Sequence, residues 1–136
     1  MVMLFDQFHL PENIFEVVFA TEQQVTVARL LIQEFKQHQG LLGKTEMSLF
    51  AQKLHEGTTA EVQEQVGPIK KINKIKISYN KRQFYDRILT PMKAMGLIDY
   101  DLYKKTYKVS AKFSADLVRI GQMWKQELHK RGIVTQ

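Results

Sequence analysis

Apolar residues along the chain recur at two periods, and the elements change where the period changes. Val25, Ala28, Leu31, Ile32 and Phe35 keep the three- and four-residue steps that put side chains on one face of a helix, so the pattern predicts a helix over 22–39. It opens at Thr21 with T-E-Q-Q, in which the threonine oxygen and the glutamine three residues on can satisfy backbone groups of the first turn, and it closes at Gly40. Met47, Phe50, Ala51 and Leu54 repeat the spacing, giving a second helix from a Thr45 cap to His55, stopped by Gly57, with 41–44 as a connector. Upstream, 10–20 (LPENIFEVVFA) carries a helical stripe of Ile14, Phe15, Val18 and Phe19, although its β-branched and aromatic content equally suits a buried strand.

Beyond Gly57 the apolar positions lie in more basic surroundings. Thr58 or Thr59 restarts a short helix carrying Val62 and Val66, broken at Gly67-Pro68. Ile69, Ile72 and Ile75 then step by three among Lys70, Lys71, Lys74 and Lys76, which predicts a helix over 68–76; Ile75 and Ile77 can instead alternate as a strand. Ser78 or Asn80 caps a further helix whose apolar face is Phe84, Tyr85, Ile88, Leu89, Met92 and Met95, and Gly96 ends it. Pro91 removes a backbone donor inside this helix and crowds the preceding turn, at a cost of about 3 kcal/mol, so a kink or tight turn is expected after Leu89.

From Leu97 the pattern is that of a hairpin. Residues 97–102 and 106–109 read as its strands, with Tyr103, Lys104 and Lys105 left for the turn. The second strand extends to Phe113 and hands over to a last helix, 114–130, with Leu117, Ile120, Gly121, Trp124 and Leu128 in a narrow stripe. The tail 132–136 reads as frayed. These elements predict a fold that is mainly α with one small β-hairpin.

A chain of 136 residues, 44% apolar and 25% charged, has the size and composition of one soluble globular domain. Charge divides it unevenly: residues 1–66 hold four Lys/Arg against nine Asp/Glu, while 67–136 hold sixteen against five. Neutralising phosphates with Lys and Arg releases condensed counterions, so a basic half is what binding a nucleic-acid duplex requires. The alternative is that basic surface only keeps the protein soluble.

The run I-S-Y-N at 77–80, M-K-A-M-G-L-I-D at 92–99 and T-Y-K-V at 106–109 form a helix pair followed at once by a hairpin. In this it resembles the winged helix-turn-helix family of DNA-binding domains, in particular the small single-domain versions of archaea, plasmids and viruses. The resemblance spans about half of the chain and rests on apolar spacing. It implies a helix-turn-helix and wing over 67–113, with an acidic helical part at 1–66 before it and a helix at 114–131 after it. In the family the second helix of the pair enters the major groove and the hairpin tip touches the backbone of an adjacent groove. Carried onto this chain, Asn80, Lys81, Arg82, Gln83 and Arg87 become the groove-facing set, and Lys104 and Lys105 the wing contacts.

Arg can donate bidentately to guanine and Asn or Gln can pair with adenine, which makes Asn80, Arg82, Gln83 and Arg87 the candidates for specificity. Lys81, Lys104, Lys105, Lys70, Lys71 and Lys74 would supply affinity through phosphates. Arg82 and Arg87 could also be solvated or paired with Asp86. The terminal helix, through Leu117, Ile120, Trp124 and Leu128, is expected to form a homodimer that reads two half-sites about one helical turn apart. The 22–39 helix is the alternative interface, and Trp124 packed on the chain's own core is the alternative role. The expected function is a dimeric, sequence-specific double-stranded DNA-binding regulator of transcription. A plasmid or viral replication or partition protein, or a protein-interaction module using the acidic half, are the alternatives.

Catalytic and cofactor chemistry is not expected. There is no cysteine, His9, His38, His55 and His129 show no metal-ligand spacing, and the seven glycines form no phosphate-cradling loop. Asp99 and Asp101 lie two apart without a third carboxylate and read as solvated hairpin residues. The opening MVMLFDQFHL is apolar but lacks a basic start and contains Asp6, so it does not read as a secretion signal, and a cytoplasmic location is expected.

Overall fold

The computed structural model describes residues 6–134, apart from the side chains of 62–66. The first five residues of the apolar opening and the last two of the tail lie outside the described residues. Helices α1 (Ile14–Val18) and α2 (Glu22–Gln37) are followed by a short strand β1 (Leu41–Gly43) and helix α3 (Lys44–Glu56). Two long strands, β2 (Thr58–Val66) and β3 (Ile69–Ile77), come next. Then α4 (Lys81–Phe84), a π-helical turn (Tyr85–Leu89) and α5 (Thr90–Ala94) run on as one composite helix. Strands β4 (Ile98–Asp101) and β5 (Thr106–Val109) and helix α6 (Lys112–Lys130) complete the chain.

The early helices follow from local chemistry. Asn13 caps α1 by accepting from the Phe15 amide, and Thr21 caps α2 by accepting from the Gln24 amide. Helix α3 starts one residue before the expected Thr45 cap: Gly43 is its N-cap, and the Glu46 carboxylate reaches back to accept from the Gly43 amide at 3.4 Å. Val25, Val27, Ala28, Leu31 and Phe35 of α2 and Met47, Phe50, Ala51 and Leu54 of α3 are buried together. A fully buried Leu or Phe contributes about 1.5–3 kcal/mol over an exposed one, so these two faces anchor the core.

The stretch read as a connector is a strand. Leu42 is fully buried and β1 pairs antiparallel with β5, so that β5 lies in the middle of a three-stranded sheet, β1-β5-β4. Larger corrections fall on 58–77. Neither the short helix at Val62 and Val66 nor the helix over 68–76 forms; the two segments are the antiparallel strands of a nine-residue hairpin, paired from Thr58↔Ile77 to Val66↔Ile69. Gly67 occupies the first position of its two-residue turn with φ +62, the sign that the primed hairpin turns need there. The fold is therefore mixed α and β, with two hairpins, and the part before Gly67 is not wholly helical.

With 68–76 in a strand, the helix that packs against α4 is α3. The ring of Phe50 meets that of Phe84 edge-on at 5.5 Å, and the Tyr79 amide donates to the Leu54 carbonyl at 2.9 Å. Phe84, Ile88, Leu89 and Met92 bury the inner face of the composite helix. The expected distortion at Pro91 takes the form of the π turn, in which the Thr90 amide donates to the Tyr85 carbonyl five residues back. A wider turn separates the proline ring from the carbonyl four residues earlier, which it would otherwise strike.

Gly96 closes the composite helix at φ +82, its amide donating to the Lys93 carbonyl and the next amide, Leu97, to Met92. This double bond is the Schellman arrangement, which requires a left-handed residue. Helix α6 begins at Lys112, two residues before the expected start, and buries no residue. No described helix is long and apolar enough to cross a membrane.

Candidate nucleic-acid interface

Three polar groups fix the start of the composite helix. The Asn80 side chain accepts from the Gln83 amide at 3.1 Å, the Lys81 amide donates to His55 Nδ1 at 3.2 Å, and the Ser78 hydroxyl donates to the His55 carbonyl at 3.2 Å. His55 therefore presents a lone pair on Nδ1, which assigns its proton to Nε2. It sits at the end of α3 and couples that helix to the next. In the sequence nothing beyond its position near Gly57 signalled this role. Lys81 is half-buried and its Nζ lies 3.4 Å from the Ser48 hydroxyl.

The outer face of the same helix is polar and open. Arg82, Gln83, Asp86, Arg87 and Thr90 are exposed, opposite the buried Phe84, Ile88, Leu89 and Met92. Arg82 lies 3.8 Å from Asp86, a loose exposed pair that costs little to release, while Gln83 and Arg87 extend the row. Asn80 departs from its expected part: its side-chain oxygen is already used as the cap, leaving only the amide nitrogen to reach a ligand.

The β4–β5 hairpin stands beside this helix. Ile98, Tyr100, Tyr107 and Leu42 share its inner face, and Lys93 of α5 places its ammonium 5.7 Å from the Tyr100 ring and 5.9 Å from the Tyr107 ring. A cation over two aromatic faces is attracted by both, so helix and hairpin are held in register. Burial raises the Tyr107 hydroxyl above its ordinary pKa. At the tip, one Asp101 oxygen accepts from the amides of Tyr103 at 2.9 Å and Lys104 at 3.1 Å, and these bonds hold its carboxyl below the usual range. Lys105 adopts φ +53 and its carbonyl accepts from the Lys44 amide at 3.0 Å, tying the tip to the start of α3. The lysine side chains 104 and 105 are exposed, and Tyr103 between the strands is 98% exposed.

Asp99 is not simply solvated. It pairs with Lys112 at 2.8 Å, which lowers its pKa and fastens the start of α6 to β4. Lys70, Lys71 and Lys74 stand on β3, so they are not part of a helix pair with α4 and instead line an arm rooted beside its first turn. Lys76, which continues the same alternation, belongs with them.

On α6, Ile120 and Trp124 are exposed and Leu117 and Leu128 half-buried. Val118 and Met123 add to this apolar surface, and Trp124 at 64% exposure does not pack into the chain's own core. No protein-family model, curated protein or solved structure matches the chain.

Proposed function

We propose that the chain is a winged helix-turn-helix protein that binds double-stranded DNA sequence-specifically and regulates transcription as a homodimer. One observation carries the reading: a single exposed helix face offers Arg82, Gln83 and Arg87 next to a cationic hairpin tip. Helix α3, the composite helix and the β4–β5 hairpin supply the helix pair and following hairpin that the resemblance describes. The composite helix would lie in the major groove, where arginine and glutamine can read base edges, and Lys104 and Lys105 would meet phosphates alongside. The open apolar stripe of α6 supports the dimer, which would place two such helices on successive half-sites.

The test is selection of bound fragments from a random DNA pool, then competition of the selected site against random duplex. A bidentate contact gives about 1–3 kcal/mol of discrimination, so the double variant Arg82→Ala/Arg87→Ala should lose at least about 30-fold of the preference. Unchanged discrimination would refute the assignment. No binding by the native protein even at low salt would turn the reading to a protein-interaction module.

A further inference from the structure

The β2–β3 hairpin is an arm. Only its feet, Ala60 and Ile77, are buried; Lys70, Lys71, Lys74 and Lys76 are exposed along β3, as are Ile69, Ile72 and Ile75. Nine residues at about 3.3 Å each make a ribbon about 30 Å long, and an isolated two-stranded ribbon is at best marginally stable in water. Such an arm gains order from a partner.

Its charge indicates which. Among the described residues the four lysines make no ion pair. Lys70 faces Gln65 and Lys76 faces Thr59 across the ribbon, so their charge is not offset by the opposite strand, whereas Lys74 faces Glu61. Strand pairing puts Lys70, Lys74 and Lys76 on one face with Ile72, and side chains two apart repeat at about 6.7 Å. Position supports the same partner. The arm leaves the body between α3 and α4, and its second strand ends three residues before Asn80 caps the composite helix. The hydrogen bonds of Tyr79 and Ser78 to Leu54 and His55 pin that root.

We infer that the β2–β3 arm is a second nucleic-acid-binding element, a lysine-edged ribbon that follows the phosphates of a duplex away from the composite helix. This rests on the DNA-binding reading above and extends it. A two-stranded ribbon fits the major groove, and about 30 Å of it reaches along about nine base pairs. The face bearing Lys70, Lys74 and Lys76 meets the backbone, with Lys71 on the ribbon's other face.

The experiment compares the native chain with Lys70→Gln/Lys71→Gln/Lys74→Gln/Lys76→Gln on random-sequence duplexes of about 12 and about 40 base pairs, as salt is varied. Four lost phosphate contacts reduce the salt slope by about 3.6. On the long duplex the native chain should thus lose about 150-fold more affinity than the variant between about 50 and about 200 mM salt. On the short duplex, which leaves little DNA beyond the helix, the two should differ much less. Equal slopes on the long duplex, in a native chain whose binding still depends on Arg82 and Arg87, would overturn the arm's role and leave the helix reading standing. Absence of any duplex binding by the native chain would overturn both. A variant whose solution mass falls while its slope is unchanged would assign the arm to contact between copies and overturn the inference. All four changes are at exposed positions, and an unchanged circular dichroism spectrum checks the fold.

Discussion

Gly96 sits where the composite helix, the hairpin and α6 converge, and Gly96→Ala measures how tightly they are joined. Its φ of +82 lies in the region that costs an L-residue about 1–2 kcal/mol. A Cβ there would also stand 3.1 Å from Lys112 Cβ and 3.1 Å from the Phe113 amide nitrogen. The second neighbour is backbone, and that same amide donates to the Gly96 carbonyl at 3.1 Å, so the start of α6 has to shift to make room. Adding about 1 kcal/mol for the contact gives about 2–3 kcal/mol in all. For 136 residues, an unfolding entropy of about 2.1 cal/mol/K per residue converts this to a Tm lowered by about 7–10 °C. Thermal unfolding followed by circular dichroism reads it directly. Gly96→Asn, which tolerates the left-handed region better, should recover part of the loss. A Tm lowered by less than about 2 °C would show that this junction is not constrained as described.

Two further outcomes are expected. Trp124→Glu places a charge in the open stripe of α6, and sedimentation should show the dimer of the native chain replaced by monomer with helix content unchanged; a native chain that is monomeric at every concentration would refute the dimer. For Asp101, the folded pKa is depressed by the amides it accepts from, so its contribution to the tip is present above the unfolded value of about 4 and is lost as pH falls through the lower folded value. Amide exchange at Tyr103 and Lys104 should accelerate over that acidic range, and Asp101→Asn should flatten the response; exchange indifferent to acid in the native protein would contradict it.

The helices α2 and α3 were legible because their apolar positions are the buried ones: Leu31, Phe35, Met47, Phe50 and Leu54 carry the periodicity and the core at once. The hairpin at 98–109 was legible for a similar reason, its aromatic and β-branched residues falling on the paired strands. Residues 69–76 misled because Ile69, Ile72 and Ile75 are exposed, so their three-residue step records no buried face. The usable signals were the β-branched content on both sides of Gly67-Pro68 and the alternation of Ile75 with Ile77. The groove-facing side chains Arg82, Gln83 and Arg87 were readable from helical phase alone. Asn80 as cap, His55 as acceptor and Asp99 as the clasp for Lys112 were not, because each depends on a neighbour brought close only by the tertiary fold.

The place of the arm also bears on how the chain reaches this fold. Between the end of α3 and the start of α4 lie residues 57–80, and bringing Phe50 to Phe84 across them as a floppy loop would delay their meeting. A hairpin zips from its own turn in about 1–10 μs. Once it has, the separation that remains is Gly57 on one side and Ser78–Asn80 on the other, so a long detour in sequence becomes a short one in space.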